Sequence, residues 1–353
     1  MTARIPVVVL AGYLGSGKTT LLNHLLRNDD GRRIGVLVND FGSINVDAMN
    51  VAGQVDATVS LENGCLCCAV DAEGVDRMLE KLAHPGAPLD AIVIEASGIA
   101  EPAQLVRMVL SSQNPGIEFG GLVEVVDAAE FDDSRARHPE LDDHVRLADL
   151  VVVNKIDRVD EAERDRVIGE VRELAEGAVL ATERGRISPG ILFDDPAIRD
   201  AGGARQLSFA DLDDHDDDHG HHMHAVYESM EFTTDRPLNP TAFLAFLKER
   251  SRGVYRIKGP IDFGASGEGR CFRFHAVGVY AAFETTRWKG PRSTSLVLIG
   301  TDLDPSNLRA RLESCIDPTP DAVDRMGVLN LARHLEDDGP SSNHPDKWDD
   351  EAG

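Results

Sequence analysis

The chain has 353 residues, enough for about two domains with a sizeable core in each. A formal charge of −25 and a pI near 4.8 argue against nucleic acid as a partner, because a phosphate backbone needs a basic surface. No run approaches the ~18 apolar residues of a membrane span, and Met1 to Pro6 lacks the build of a signal peptide, so a cytoplasmic protein is expected.

The first predicted element is a buried strand, Ile5 to Ala11. It runs into Gly12-Tyr13-Leu14-Gly15-Ser16-Gly17-Lys18-Thr19-Thr20 and then into a helix whose apolar face carries Leu21, Leu22, Leu25 and Leu26. Strand, glycine loop, Lys-Thr and helix in this order form a phosphate-binding P-loop. Its glycines let backbone N–H groups turn onto phosphate oxygens, and the helix N-terminus adds a partial positive charge. Lys18 would reach the outer phosphates and Thr19 would hold Mg²⁺. The glycines lack the G-x-G-x-x-G spacing of a dinucleotide site.

Ile34 to Asn39 reads as a second buried strand, ending at Asp40-Phe41-Gly42. With no His-Arg-Asp loop in the chain, this triplet carries no kinase reading. Thr58 to Leu61 is a short strand feeding Glu62-Asn63-Gly64-Cys65-Leu66-Cys67-Cys68, and the next helix runs from about Asp71 to Ala83. Ala91 to Ile94 is an apolar strand ending at Glu95-Ala96-Ser97-Gly98. Pro102 suits the first turn of a helix from Glu101 to Leu110. Strands are read at Leu122–Val126 and Leu150–Val153, then a helix at 160–176 and a strand at 178–181. Apolar strands alternating with helices predict an α/β domain with a mostly parallel sheet.

Composition shifts at 211–224, where aspartates alternate with His215, His219, His221, His222 and His224. Such a biased, solvated segment cannot bury a core and is read as the interdomain linker. Beyond it, strands at 226–232, 256–263, 271–279 and 295–299, with helices near 240–250 and 305–315, predict a smaller α+β domain with an antiparallel sheet. The expected organisation is a P-loop domain at 1–202, an acidic His-rich linker at 203–225, a second domain at 226–317 and an acidic, mostly disordered tail at 318–353. A short helix is allowed near 324–335.

Four groups carry the chemistry. Asn154-Lys155-Ile156-Asp157 comes directly after a strand. A carboxylate at Asp157 accepts from both guanine N1–H and the 2-amino group, a donor pair that adenine lacks, so GTP is favoured over ATP. Asn154 is expected at the base edge and Lys155 at its face. Glu95 and Asp40 are the strand-end acids placed to hold Mg²⁺ or orient water, with Gly98 near the γ-phosphate. Cys65, Cys67 and Cys68 form a dense thiolate loop suited to a soft ion such as Zn²⁺ or Cu⁺. Three thiolates in four residues suit an exchangeable site whose fourth ligand is Glu62, a histidine, water or a partner protein. The linker histidines are a weak auxiliary site for Zn²⁺, Ni²⁺ or Co²⁺. Cys271 and Cys315 stand alone and are read as core.

Together these motifs resemble the CobW-type GTPase family, over residues 5–317. The marks are Gly12 to Thr20, Val38 to Gly42, Gly64 to Cys68, Glu95 to Gly98 and Asn154 to Asp157, with Ile257-Lys258-Gly259 and Leu298-Ile299-Gly300 in the second domain. The resemblance implies a GTPase whose nucleotide state controls a metal on the cysteine loop. Cys65, Cys67 and Cys68 would be the metal ligands, Lys18 and Thr19 the phosphate and Mg²⁺ contacts, and Asp157 the guanine reader. Asp40 and Glu101 each stand where the family commonly has the other acidic residue, so the charge is kept. The implied partners are GTP or GDP, a transition metal and a client metalloprotein. The edge-rich antiparallel second domain, on architecture alone, offers a surface for the client or for a second copy of the chain. Three alternatives remain at this point: a maturation factor delivering cobalt or iron to one enzyme, a metal store in which GTP turnover is incidental, and a small-metabolite kinase.

Overall fold

The computed structural model describes residues 4–38, 57–60, 72–83, 89–98, 101–193 and 227–335. Asp40, Glu62, the cysteines at 65, 67 and 68, and the histidines between 215 and 224 lie outside the described residues.

Seven parallel strands form the first sheet: β1 (Ile5–Ala11), β2 (Ile34–Val38), β3 (Ala57–Ser60), β4 (Ala91–Glu95), β5 (Ile117–Asp127), β6 (Leu150–Asn154) and β7 (Ala178–Ala181). Their spatial order is β3-β2-β4-β1-β5-β6-β7, and every neighbouring pair is parallel. The period of two along a strand sends alternate residues to opposite faces. Val7, Val9 and Ala11 of β1 join one core with α2 (Ala72–Leu82), α3 (Pro102–Leu110), α5 (Leu141–Leu147) and α6 (Glu161–Leu174). Val8 and Leu10 join the other with α1 (Lys18–Arg27) and α7 (Pro189–Leu192). Covering both faces explains why these strands read as unbroken apolar runs.

Two stretches differ from the sequence reading. The strand expected at 122–126 begins at Ile117 and spans 11 residues. Gly120 is an extra residue between the pairs Val7–Phe119 and Val8–Gly121, so β5 carries a bulge where the sequence shows only a Gly-Gly break. Between β5 and β6 the chain forms α4 (Phe131–Arg137) and α5, which the sequence reading left unassigned.

The second sheet is antiparallel, in the order β11-β10-β9-β12-β8, from β8 (Glu228–Thr234), β9 (Val254–Ile261), β10 (Cys271–Val277), β11 (Tyr280–Thr286) and β12 (Thr294–Gly300). The expected strand 271–279 is one arm of a hairpin that turns at Gly278, whose φ is +52°. Helices α8 (Pro240–Lys248) and α9 (Pro305–Glu313) complete this α+β unit. Its core is aromatic: Phe243 meets Phe274 edge-on at 5.2 Å between centroids, and Phe274 meets Phe283 at 4.7 Å.

The tail reading is corrected up to residue 335. Helix α10 (Arg325–Leu331) packs on α8, with Leu331 in the aromatic core. Asp324 accepts from Gly327 N at 2.9 Å and from Thr241 Oγ1 at 2.6 Å, and Phe283 N donates to His334 O. Two apolar anchors and a helix cap outweigh the acidic composition of this stretch.

The second sheet meets the first at the β5 bulge. Tyr255 OH donates to Gly120 O at 3.1 Å, His275 Nε2 bonds Phe119 O at 3.1 Å, and Lys258 pairs with Glu118 at 2.9 Å. A Cβ on Gly121 would lie 2.7 Å from Tyr255 OH, so this glycine is what lets the second sheet approach. The strand gripped at this end runs on to the candidate site at its other end.

Candidate functional site

Ala11 ends β1 and Gly12 turns the chain at φ +144°. A Cβ there would lie 2.5 Å from Val125 O, so the loop rests directly on β5. Ser16 N closes the turn on Tyr13 O at 3.1 Å, and Gly17, at φ +105°, caps α1 in the left-handed region. A Cβ on Gly15 would meet nothing within 4 Å, so the cradle is open on that side. The first turn of α1 holds no acidic residue of its own, so its positive end faces the loop. This is an anion site made of backbone.

Lys18 curls back over the loop. Its Nζ donates to Gly12 O at 2.6 Å and to Tyr13 O at 3.2 Å. Thr19 Oγ1 donates to Glu95 Oε1 at 2.7 Å. Glu95 ends β4 abreast of Leu10 on β1, which brings a hydroxyl and a carboxylate together beside the loop. A hard divalent cation takes oxygen ligands of this kind, so the pair fits Mg²⁺. A Cβ on Gly98 would lie 2.8 Å from Leu14 N, so the segment after β4 rides against the loop crest. Thr20 is exposed on α1.

The Asn-Lys-x-Asp segment is tied to the same loop. Lys155, at φ +62°, donates to Gly15 O at 2.7 Å and pairs with Asp127 at 2.5 Å. Asn154 makes two ties that the sequence reading did not give it, and one N–H of its amide is left over for a base edge. Its carboxamide is buried: Nδ2 donates to Ser16 O at 2.9 Å, and Oδ1 accepts from Gly185 N at 2.8 Å. A strand-end amide with both donor and acceptor can join two loops, and here it joins the P-loop to the loop after β7. Asp157 lies in the exposed 3-10 turn Ile156–Arg158, free of the loop-tying role.

Beside the loop crest lies a cavity of about 380 Å³, lined by Tyr13, Gly15, Glu124, Asp127, Phe131 and Arg135 among others. Tyr13 OH bonds His138 Nε2 at 2.6 Å across its rim. Glu124 is 1% exposed, and burial pushes its carboxyl up to about 8, with Lys18 pulling the other way. The sequence reading missed this residue. Its signal was a lone acid, Val123-Glu124-Val125, inside a strand buried on both faces.

Residues 6–181 match the CobW/HypB/UreG nucleotide-binding domain, and residues 227–316 match the cobalamin synthesis protein CobW C-terminal domain. The zinc chaperone CobW of Pseudomonas aeruginosa is 32% identical over 360 residues, 89% of this chain and 92% of that one. The chain belongs to the CobW family. A second zinc chaperone CobW, from Sinorhizobium sp., is 29% identical and covers 89% of this chain and 98% of its own. A zinc-bound crystal structure of the E. coli YjiA GTPase covers 90% of this chain and 100% of its own at 21% identity and a TM-score of 0.41.

Within this CobW-family chain, Cys271 and Cys315 are buried and free, and burial pushes both thiols up to about 11. Both are core residues, as their positions in the sequence suggested. Among the described residues, no three His, Cys, Asp or Glu side chains converge as a metal site, and no helix is long and apolar enough to cross a membrane.

Proposed function

We propose that this chain is a GTP-hydrolysing metallochaperone, with zinc as its cargo on Cys65, Cys67 and Cys68. The observation that carries the nucleotide half is the double tie of Asn154 to Ser16 and Lys155 to Gly15. It joins the phosphate loop and the Asn-Lys-x-Asp segment in one site and leaves Asp157 exposed to read guanine. Gly12, Gly15, Ser16, Gly17, Lys18, Thr19 and Thr20 would receive the phosphates, with Gly98 close to the outermost one. Thr19 and Glu95 would hold Mg²⁺, with Asp40, two residues beyond β2 in the sequence, as the further acid. Mg²⁺ when bound supplies charge neutralisation on the phosphates. Thr19 and Glu95 contribute its oxygen donors, and Lys18 exchanges its two carbonyl partners for phosphate oxygens.

The zinc half is supported by the names of the CobW relatives and by the thiolate loop in the sequence. In the sequence the cysteines fall between β3 and α2, and β3 belongs to the sheet that carries the nucleotide site. If nucleotide state and zinc affinity are coupled, the coupling is reciprocal. Asp127 and Glu95 sit at strand ends that a bound nucleotide would order. A client metalloprotein is the expected recipient.

Zinc titrations of the protein loaded with GDP or with a non-hydrolysable GTP analogue test the reading. Different zinc affinities are expected in the two states, lost in a Cys65/Cys67/Cys68 triple serine variant. Equal affinities would remove nucleotide control. Binding of ATP as tightly as GTP would remove the guanine assignment.

A further inference from the structure

The ties from Asn154 and Lys155 both start in the Asn-Lys-x-Asp segment and hold the middle of the phosphate loop, at Ser16 and Gly15. The other flank of the loop is fastened from a stretch that carries no motif. Tyr13, directly after Gly12, reaches across the cavity rim to His138, the residue that caps the end of α4. The two ring centroids lie 4.3 Å apart, and Tyr13 OH meets His138 Nε2 at 2.6 Å. On the far side of the ring, His138 Nδ1 lies 3.0 Å from Glu140 Oε1. An ionised carboxylate only accepts. In the neutral ring Nδ1 therefore carries the proton, and Nε2 accepts from the Tyr13 hydroxyl.

His138 stands on a firm base. Its N–H donates to Ser134 O at 2.8 Å, and its carbonyl accepts at 3.1 Å from the N–H of Leu141, which opens α5. Helix α4 is pinned by buried Phe131 and by Arg135, which pairs with Asp142 at 2.6 Å and Glu170 at 3.1 Å. At the other end of the tie is the loop itself. Tyr13 O accepts from Ser16 N at 3.1 Å, the bond that closes the turn, and from Lys18 Nζ at 3.2 Å. The neighbouring Leu14 is 74% exposed, so its side chain gives the crest little hold.

We propose that His138 is a positioning residue for the nucleotide site, keeping the phosphate loop in its receiving shape through the Tyr13 hydroxyl. This rests on the nucleotide reading above. Preorganisation is the physical basis. A glycine-rich loop has many shapes, and few of them aim its N–H groups at one phosphate. Fixing the Tyr13 ring at its far end fixes the carbonyl on which Ser16 and Lys18 converge. Without that bond a smaller fraction of molecules holds the receiving shape, and affinity falls by that fraction. His138 touches no phosphate and acts only through Tyr13.

The test is GDP affinity of the full chain in wild type, Tyr13→Phe, His138→Ala, the double variant and His138→Gln. Tyr13→Phe keeps the ring and loses the hydroxyl. It and His138→Ala should each bind GDP about threefold to tenfold more weakly, the range of one half-buried hydrogen bond. The double variant should stay within about twofold of His138→Ala, because one bond can be lost only once. His138→Gln puts an amide where Nε2 stood and should return to within about twofold of wild type. Single variants that bind like wild type, effects that multiply in the double variant, or no rescue by glutamine each overturn this inference alone. No GDP binding by the wild type overturns the functional reading together with it. Should His138→Ala fail to fold, His138→Asn takes its place. Asparagine keeps a partner for Glu140 and falls short of Tyr13, so the same outcomes decide.

Discussion

Replacing Asn154 with alanine removes one side chain and unties two loops. That side chain is 1% exposed and makes two hydrogen bonds of ordinary length, to Ser16 O and from Gly185 N. Alanine leaves a buried carbonyl and a buried N–H without partners. Each orphaned group costs about 1–3 kcal/mol, so the loss should be about 2–4 kcal/mol, the low end applying if water reaches one of them. Urea denaturation monitored by circular dichroism reads the stability change. The same variant should bind GDP at least tenfold more weakly, because Ser16 lies within the phosphate loop itself. Asn154→Asp separates the two bonds: it keeps the acceptor for Gly185 N but turns an oxygen toward Ser16 O, so it should be no better than alanine. A loss below about 0.5 kcal/mol with GDP affinity within twofold of wild type would refute the claim that this amide joins the loops.

Two further predictions concern the contact between the sheets. Burial pushes His275 down to about 4, against an ordinary value of 6.5. The unfolded chain therefore binds the extra proton first, and stability falls as pH drops from about 6.5 toward 4, by about 3 kcal/mol in all. The urea midpoint should fall further between pH 7 and 4.5 in wild type than in His275→Gln, and equal acid sensitivity in both would exclude the histidine as the cause. Gly278→Ala drives a Cβ into the Asp149 carboxylate, which accepts from Leu122 N on β5 at 2.9 Å. With a left-handed turn also strained, the cost should be on the order of 2–3 kcal/mol, and an unchanged melting temperature would count against the docked arrangement of the sheets.

The P-loop, the strand-end acids, the Asn-Lys-x-Asp segment and the thiolate loop are all legible in the sequence, because each is local. Loop geometry there depends on glycines and on the residues directly after a strand, and both are written consecutively in the chain. The alternating apolar runs determine a parallel sheet for the same reason: covering both faces leaves no polar alternation. Only tertiary structure decides partnership between distant residues. Asn154 reads only as a base contact, and the fold adds Ser16 and Gly185 as partners at its two ends. Nothing local says why Gly121 lacks a side chain until the second sheet sets Tyr255 and Val277 against it. Glu124 is conspicuous in the sequence as an acid among valines, but only the fold places it abreast of Ala11 in the cavity beside the P-loop. A hydrogen bond or a buried charge depends on atoms brought together from more than a hundred residues apart, and no local pattern carries that distance.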